Sequence, residues 1–164
     1  PAGAPGGPGM SCRESRNKRL CVLLLVCNVV FIWGNSLLPA SVSGAISQWL
    51  HQLLQSLFPG GKPSQGDGLL RKLAHVSEFA LLGALLSWNF LLRGRKMPRW
   101  AGASLACAWA VACVDETIQR FVPGRGPSVR DVLIDTAGAL LGIGMFLGSK
   151  MLLQKYSKKS KINA

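Results

Sequence analysis

Acidic side chains are scarce in this chain. Seven of its 164 residues are Asp or Glu, against nineteen Lys and Arg, giving a formal net charge of +12. Such an excess could mark a nucleic-acid binder, but here the basic residues form short blocks beside apolar segments and line no helix face, so no nucleic-acid partner is expected. Cysteine pairs at metal-ligand or redox spacing are also missing. Cys12, Cys21, Cys27, Cys107 and Cys113 contain no C-x-x-C, which argues against a disulfide framework or a zinc site. G-x-x-x-x-G-K, G-x-G-x-x-G after a strand, and G-x-S-x-G are absent too, so a soluble nucleotide enzyme is not supported, and no cofactor is implied.

What the chain does have is long apolar runs. Residues 20–38 carry no charge, enough to cross a hydrocarbon core of about 30 Å. A basic flank of Arg13, Arg16, Lys18 and Arg19 precedes them, as in a cleaved signal peptide. The run is long for that role and Trp33 suits an interface anchor, so a retained span is expected. Three more spans follow at about 69–92, 100–120 and 129–153. Between the first two, Val42, Ile46, Trp49, Leu50, Leu53, Leu54, Leu57 and Phe58 recur at helical spacing with polar residues between them. This predicts an amphipathic interfacial helix over about 41–58, stopped by Pro59-Gly60-Gly61.

The expected fold is therefore an all-α membrane protein, a bundle of four transmembrane helices with one interfacial helix between spans one and two. The transmembrane domain covers 19–154, between a disordered basic tail at 1–18 and a basic tail at 155–164. The Pro/Gly/Ala stretch at 1–9 is set aside from fold reasoning, with Met10 as the expected natural start. Thirteen Lys and Arg fall on the side of both termini and six on the other, which places the N- and C-termini in the cytoplasm.

This orientation brings the ionisable residues of the spans to one side. Arg71, His75 and Glu78 share a helix face in span two; Asp115 and Gln119 do so at the end of span three, and Asp131 and Asp135 at the start of span four. A charge at membrane depth costs roughly 2.5–3.5 kcal/mol or more, so these groups must face one another around a polar cavity open to the outside. Simpler explanations exist for each: Asp131 with Ser128 as a helix start, His75 as a hydrogen-bonded core residue, Pro123-Gly124 and Gly126-Pro127 as plain turn chemistry. Their joint placement is harder to explain that way.

The strings R-K-L-A-H-V-S-E-F-A-L-L-G and D-E-T-I-Q-R-F-V-P-G-R-G-P-S-V-R-D-V-L-I-D-T-A-G, with N-S-L-L-P-A-S-V-S-G-A-I-S upstream, resemble the VanZ-like family of small bacterial membrane proteins over about residues 22–144. The resemblance implies Lys72, His75, Glu78, Asp115, Glu116, Gln119, Arg125, Asp131 and Asp135 as the shared polar positions, and a multi-pass protein of the bacterial plasma membrane. Phe79 stands where many members carry Tyr. The founding member is associated with low-level teicoplanin resistance.

Three readings stay open. The first is a site that binds or modifies an anionic envelope lipid, a cell-wall precursor or a glycopeptide-related ligand. Here Glu78, Asp115 or Glu116 would act as base or orienting group, and Lys72, His75, Gln119, Arg125, Asp131 and Asp135 would bind. The second is a buried charge network that only fixes helix register. The third is a metal-dependent membrane hydrolase or transferase, disfavoured because one His among several Arg makes an ordinary metal site less natural. No metal residue is assigned. Membrane lipid is the one partner that all three share.

Overall fold

In a computed structural model, the apolar runs become five helices: α1 (Pro8–Ser36), α2 (Ala40–Leu57), α3 (Asp67–Leu92), α4 (Arg99–Gln119) and α5 (Val129–Ile162). The structure describes residues 8–57, 67–94, 96 and 99–162; the stop at 59–61, Phe58 and residues 1–7 lie outside them. Among the described residues there is no strand. Four stretches, Cys12–Ser36, Leu70–Leu92, Arg99–Gln119 and Val129–Tyr156, are long and apolar enough to cross a membrane. This is a multi-pass membrane protein.

Helix ends follow local chemistry. α1 stops before Pro39, whose ring disfavours helical backbone in the residue ahead of it. The Pro39 carbonyl then accepts the N–H groups of Val42 and Ser43 and starts α2. Gly94 closes α3 at φ 72°, a left-handed conformation that glycine adopts without steric cost. Both outer helices run further than the expected spans. α1 reaches back to Pro8, through much of the stretch expected as a disordered tail, and a Glu14–Lys18 pair at 2.7 Å supports the turn it spans. α5 continues to Ile162 through the lysine-rich end.

The core is formed by Ile32, Phe79, Leu82, Ala108, Ala112 and Ala139, drawn from α1, α3, α4 and α5. α3 and α5 make the closest seam. A side chain at Gly138 would meet the Val76 carbonyl at 2.7 Å, and Gly142 and Gly83 are pressed onto the Ala80 and Ala139 carbonyls. Small residues are what allow helix backbones to approach so closely in a membrane. Gly138, Gly142 and Gly83 serve this purpose, while a side chain at Gly144 would meet open space. The outer faces stay apolar and uncovered, with Leu23, Phe31, Leu141 and Met145 each more than half exposed, as a lipid-facing surface requires.

α2 packs along α3, where Ser47 is buried and its hydroxyl donates to the Ser43 carbonyl at 3.0 Å. Val42, Trp49 and Leu57 are exposed, as are Gln48 and Gln52. A helix that leaves both large apolar and polar residues uncovered beside the bundle fits a position in the membrane interface.

Candidate functional site

The last turn of α1, the first half of α3, the end of α4 and the start of α5 converge at one end of the bundle. α3 supplies Arg71, Lys72, His75 and Glu78 from one face, and helical spacing explains why they point together. α4 contributes Asp115, Glu116 and Gln119, all buried, and α5 contributes Asp131 and buried Asp135. The turn from Arg120 to Ser128 carries Arg125 inward. It bends at Gly124 with φ 75°, and the Ala40 N–H donates to the Pro123 carbonyl at 3.4 Å, tying the turn to α2.

Asp115 lies deepest, with no exposed surface. Its Oδ2 accepts from the Ser36 hydroxyl at 2.8 Å and the Gln119 amide at 2.9 Å, while its Oδ1 has no partner. Asp135 is 1% exposed; its Oδ1 stands 3.7 Å from His75 Nδ1, and its Oδ2 has no partner. Glu116 accepts the Ser128 N–H at 2.7 Å, which fixes the start of α5 against the end of α4. Asn35 links two further groups. Its side-chain amide donates to Glu78 at 2.8 Å, and its backbone carbonyl accepts from Arg125 Nη2 at 3.2 Å. Arg125 Nε and Nη1 are left free. Burial, and Arg71 beside it, pull the Arg125 guanidinium below its ordinary range, while Asp115 and Glu116 push the other way.

Two cavities open here. A small one of about 20 Å³, room for a water or two, is lined by Arg71, Lys72, His75, Glu116, Gln119, Asp131, Ile134 and Asp135. A larger one of about 130 Å³ is bounded by Arg71, Arg125, His75, Glu78 and Asn35 on one side. Leu38, Ile46, Leu50 and Leu70 form its apolar flank. Arg71 and His75 belong to both.

All nine residues singled out from the sequence gather at this end. Lys72 is exposed but borders the small cavity, and Asp131 is half-buried. Arg120 and Arg130 face outward, as solvated charges would. Glu78 sits eleven residues into α3, roughly 16 Å along its axis. Phe79 is fully buried in the core and offers nothing to the site. Arg71, expected on one face with His75 and Glu78, borders both cavities. Two participants escaped the sequence reading, Asn35 and Ser36; both are neutral, and only their place at the end of an apolar run could have signalled them.

The unsatisfied buried groups carry the sharpest signature. Of the nine unpartnered side-chain atoms among the described residues, seven belong to His75, Glu78, Asp115, Glu116, Arg125 and Asp135. Native proteins leave few such groups, and each needs an explanation.

A bundle of four spans with an interfacial helix and a converging cluster of acids and arginines at one end defines a class of small membrane protein. Within that class the chain belongs to the VanZ/LLP1 family, whose model matches residues 20–153. No curated protein and no solved structure matches it.

Proposed function

We propose that this end of the bundle opens to the outside of a bacterial plasma membrane, with both termini in the cytoplasm, and receives the anionic group of an envelope component. The candidates are a lipid phosphate, a polyprenyl-phosphate-linked wall precursor or a glycopeptide-related ligand. The family resemblance points to glycopeptide resistance of the teicoplanin type as the phenotype. One observation carries the reading: two nitrogens of Arg125, Nε and Nη1, have no partner, beside a cavity that Arg125 and Arg71 line and that has an apolar flank of Leu38, Ile46, Leu50 and Leu70. Two guanidinium groups suit an anionic head, since Arg binds phosphate or carboxylate in bidentate fashion. The leucines and Ile46 suit the chain of an amphiphile. Lys72 adds a point charge at the mouth, and Glu78, Asp115 or Glu116 orients the ligand or takes a proton from it.

Native mass spectrometry of the protein released from mild detergent tests this. Wild type is expected to carry a phospholipid- or precursor-sized adduct, and Arg125→Ala to lose most of it while remaining helical and monodisperse. A bare wild-type protein, or an adduct that Arg125→Ala retains in full, would sink the reading.

A further inference from the structure

The deepest part of the cluster is built differently from the arginine-lined cavity. His75, Asp115 and Asp135 each present one ligand-type atom, and the three lie within 4.8 Å of one another. They come from three helices, α3, α4 and α5. Asp115 and Asp135 are 0% and 1% exposed, and each keeps one carboxylate oxygen without a partner, as does His75 Nδ1. Among the described residues the only ion pair reaching this trio is internal to it, His75 to Asp135 at 3.7 Å. Arg71, Lys72 and Arg125 lie nearby, yet none pairs with either aspartate at 4.0 Å or less. Two buried carboxylates facing one another without a cationic partner carry a large desolvation and repulsion penalty. That penalty is relieved by a shared proton or by a cation held between them.

We infer that His75, Asp115 and Asp135 form a divalent-cation site, taking an ion of the Mn²⁺ or Mg²⁺ class beneath the arginine-lined cavity. The donor set is one imidazole nitrogen and carboxylate oxygens, which suits these ions better than sulfur-seeking metals. Size fits as well. A triangle with 4.8 Å sides has its corners about 2.8 Å from its centre, and Mg²⁺ takes donors at about 2.1 Å, so closure asks for less than about 1 Å of side-chain movement. The outer partners are already in place. Ser36 and Gln119 both donate to Asp115 Oδ2, which holds that carboxylate in one orientation and leaves Oδ1 for the ion. Open coordination positions would face the small cavity, where water or an anionic head group could complete the shell.

The site does not rest on the anionic-ligand reading, and its test needs no lipid. The full chain is stripped with a chelator in neutral detergent and titrated with Mn²⁺, with electron paramagnetic resonance reading free and bound ion. One Mn²⁺ per chain is expected, with nitrogen coupling from His75. Asp115→Asn and Asp135→Asn are expected to weaken binding at least tenfold, and His75→Gln to abolish the nitrogen coupling. Arg120→Ala, on the exposed turn, is the control and keeps wild-type binding. Failure of wild type to bind Mn²⁺ saturably would overturn the inference and leave a shared proton as the neutralising charge. Binding that survives unchanged in the aspartate variants, or that shows no nitrogen coupling, would also overturn it. Should an aspartate variant fail to fold, wild type and His75→Gln still decide the matter.

Discussion

The two ends of the bundle both bury polar groups, and they treat them in opposite ways. At the end near Trp100, Ser104 donates to the Trp100 carbonyl at 2.8 Å and Ser87 to the Gly83 carbonyl at 2.8 Å. Cys21 donates to the Leu85 carbonyl at 3.6 Å, and Asn89 accepts from Arg93 at 2.8 Å. The indole of Trp100 itself packs edge-on against Phe146 at 6.0 Å. All of these hydrogen-bonding groups are neutral or paired; Ser87 and Ser104 bond back to their own helices, and Ser87 also donates to Ser104 at 3.5 Å. At the other end most of the buried groups are ionisable, drawn from three helices and a turn, and several oxygens and nitrogens lack partners. A hydroxyl bonded back to its own helix costs little and specifies little. A half-satisfied ionic cluster is costly, so it points to something that enters from outside.

Three substitutions sharpen that contrast, beginning with one that should abolish it. Gly142→Val drives a branched side chain into the Ala80 backbone, which cannot give way as a flexible side chain would. Loss of at least about 3 kcal/mol is expected, visible as aggregation on size exclusion or as unfolding at much lower SDS fraction. Both ends should fail together. Ser36→Ala acts at the ionic end alone. It removes a donor from fully buried Asp115, and a loss of about 1–2 kcal/mol is expected in the same unfolding assay. Ser104→Ala, equally buried, removes a bond back to its own helix and a long 3.5 Å one from Ser87, whose hydroxyl keeps the Gly83 carbonyl, and should change stability by no more than about 0.5 kcal/mol. A Ser104→Ala loss as large as that of Ser36→Ala would erase the distinction between the ends.

The same distinction explains what could be read from the chain. Asp115, Glu116, Asp131 and Asp135 stand out in sequence because a charge in an apolar run is expensive, and expense implies a purpose. The four spans are equally plain, since a bilayer sets their length. Asn35 and Ser36 stayed hidden because a neutral side chain in such a run carries no comparable cost. Helix facing was the other blind spot. Gly83, Gly142 and Gly144 look alike in sequence, and only the seam of α3 with α5 separates the two that need hydrogen as a side chain from the one that does not. Periodicity gave the apolar stripe of α2 without showing that Ile46 and Leu50 border a cavity while Trp49 and Leu57 stand clear of it.

That seam also decides which parts of the cluster can yield. Val76 lies against Gly138 and Ala80 against Gly142, at equal four-residue steps on two helices that run the same way, so α3 and α5 are keyed together like a rack. A slip of one turn, about 5.4 Å, would carry His75 away from Asp135 and force three glycine contacts apart at once. One wall of the cluster is thus rigid. On the opposite side, among the described residues, α2 and the 120–128 turn are joined by one long backbone bond from Ala40 to Pro123. The wall that carries His75 and Asp135 is thus locked by backbone contacts of three glycines, and the wall formed by α2 and the Arg125 turn has no comparable lock.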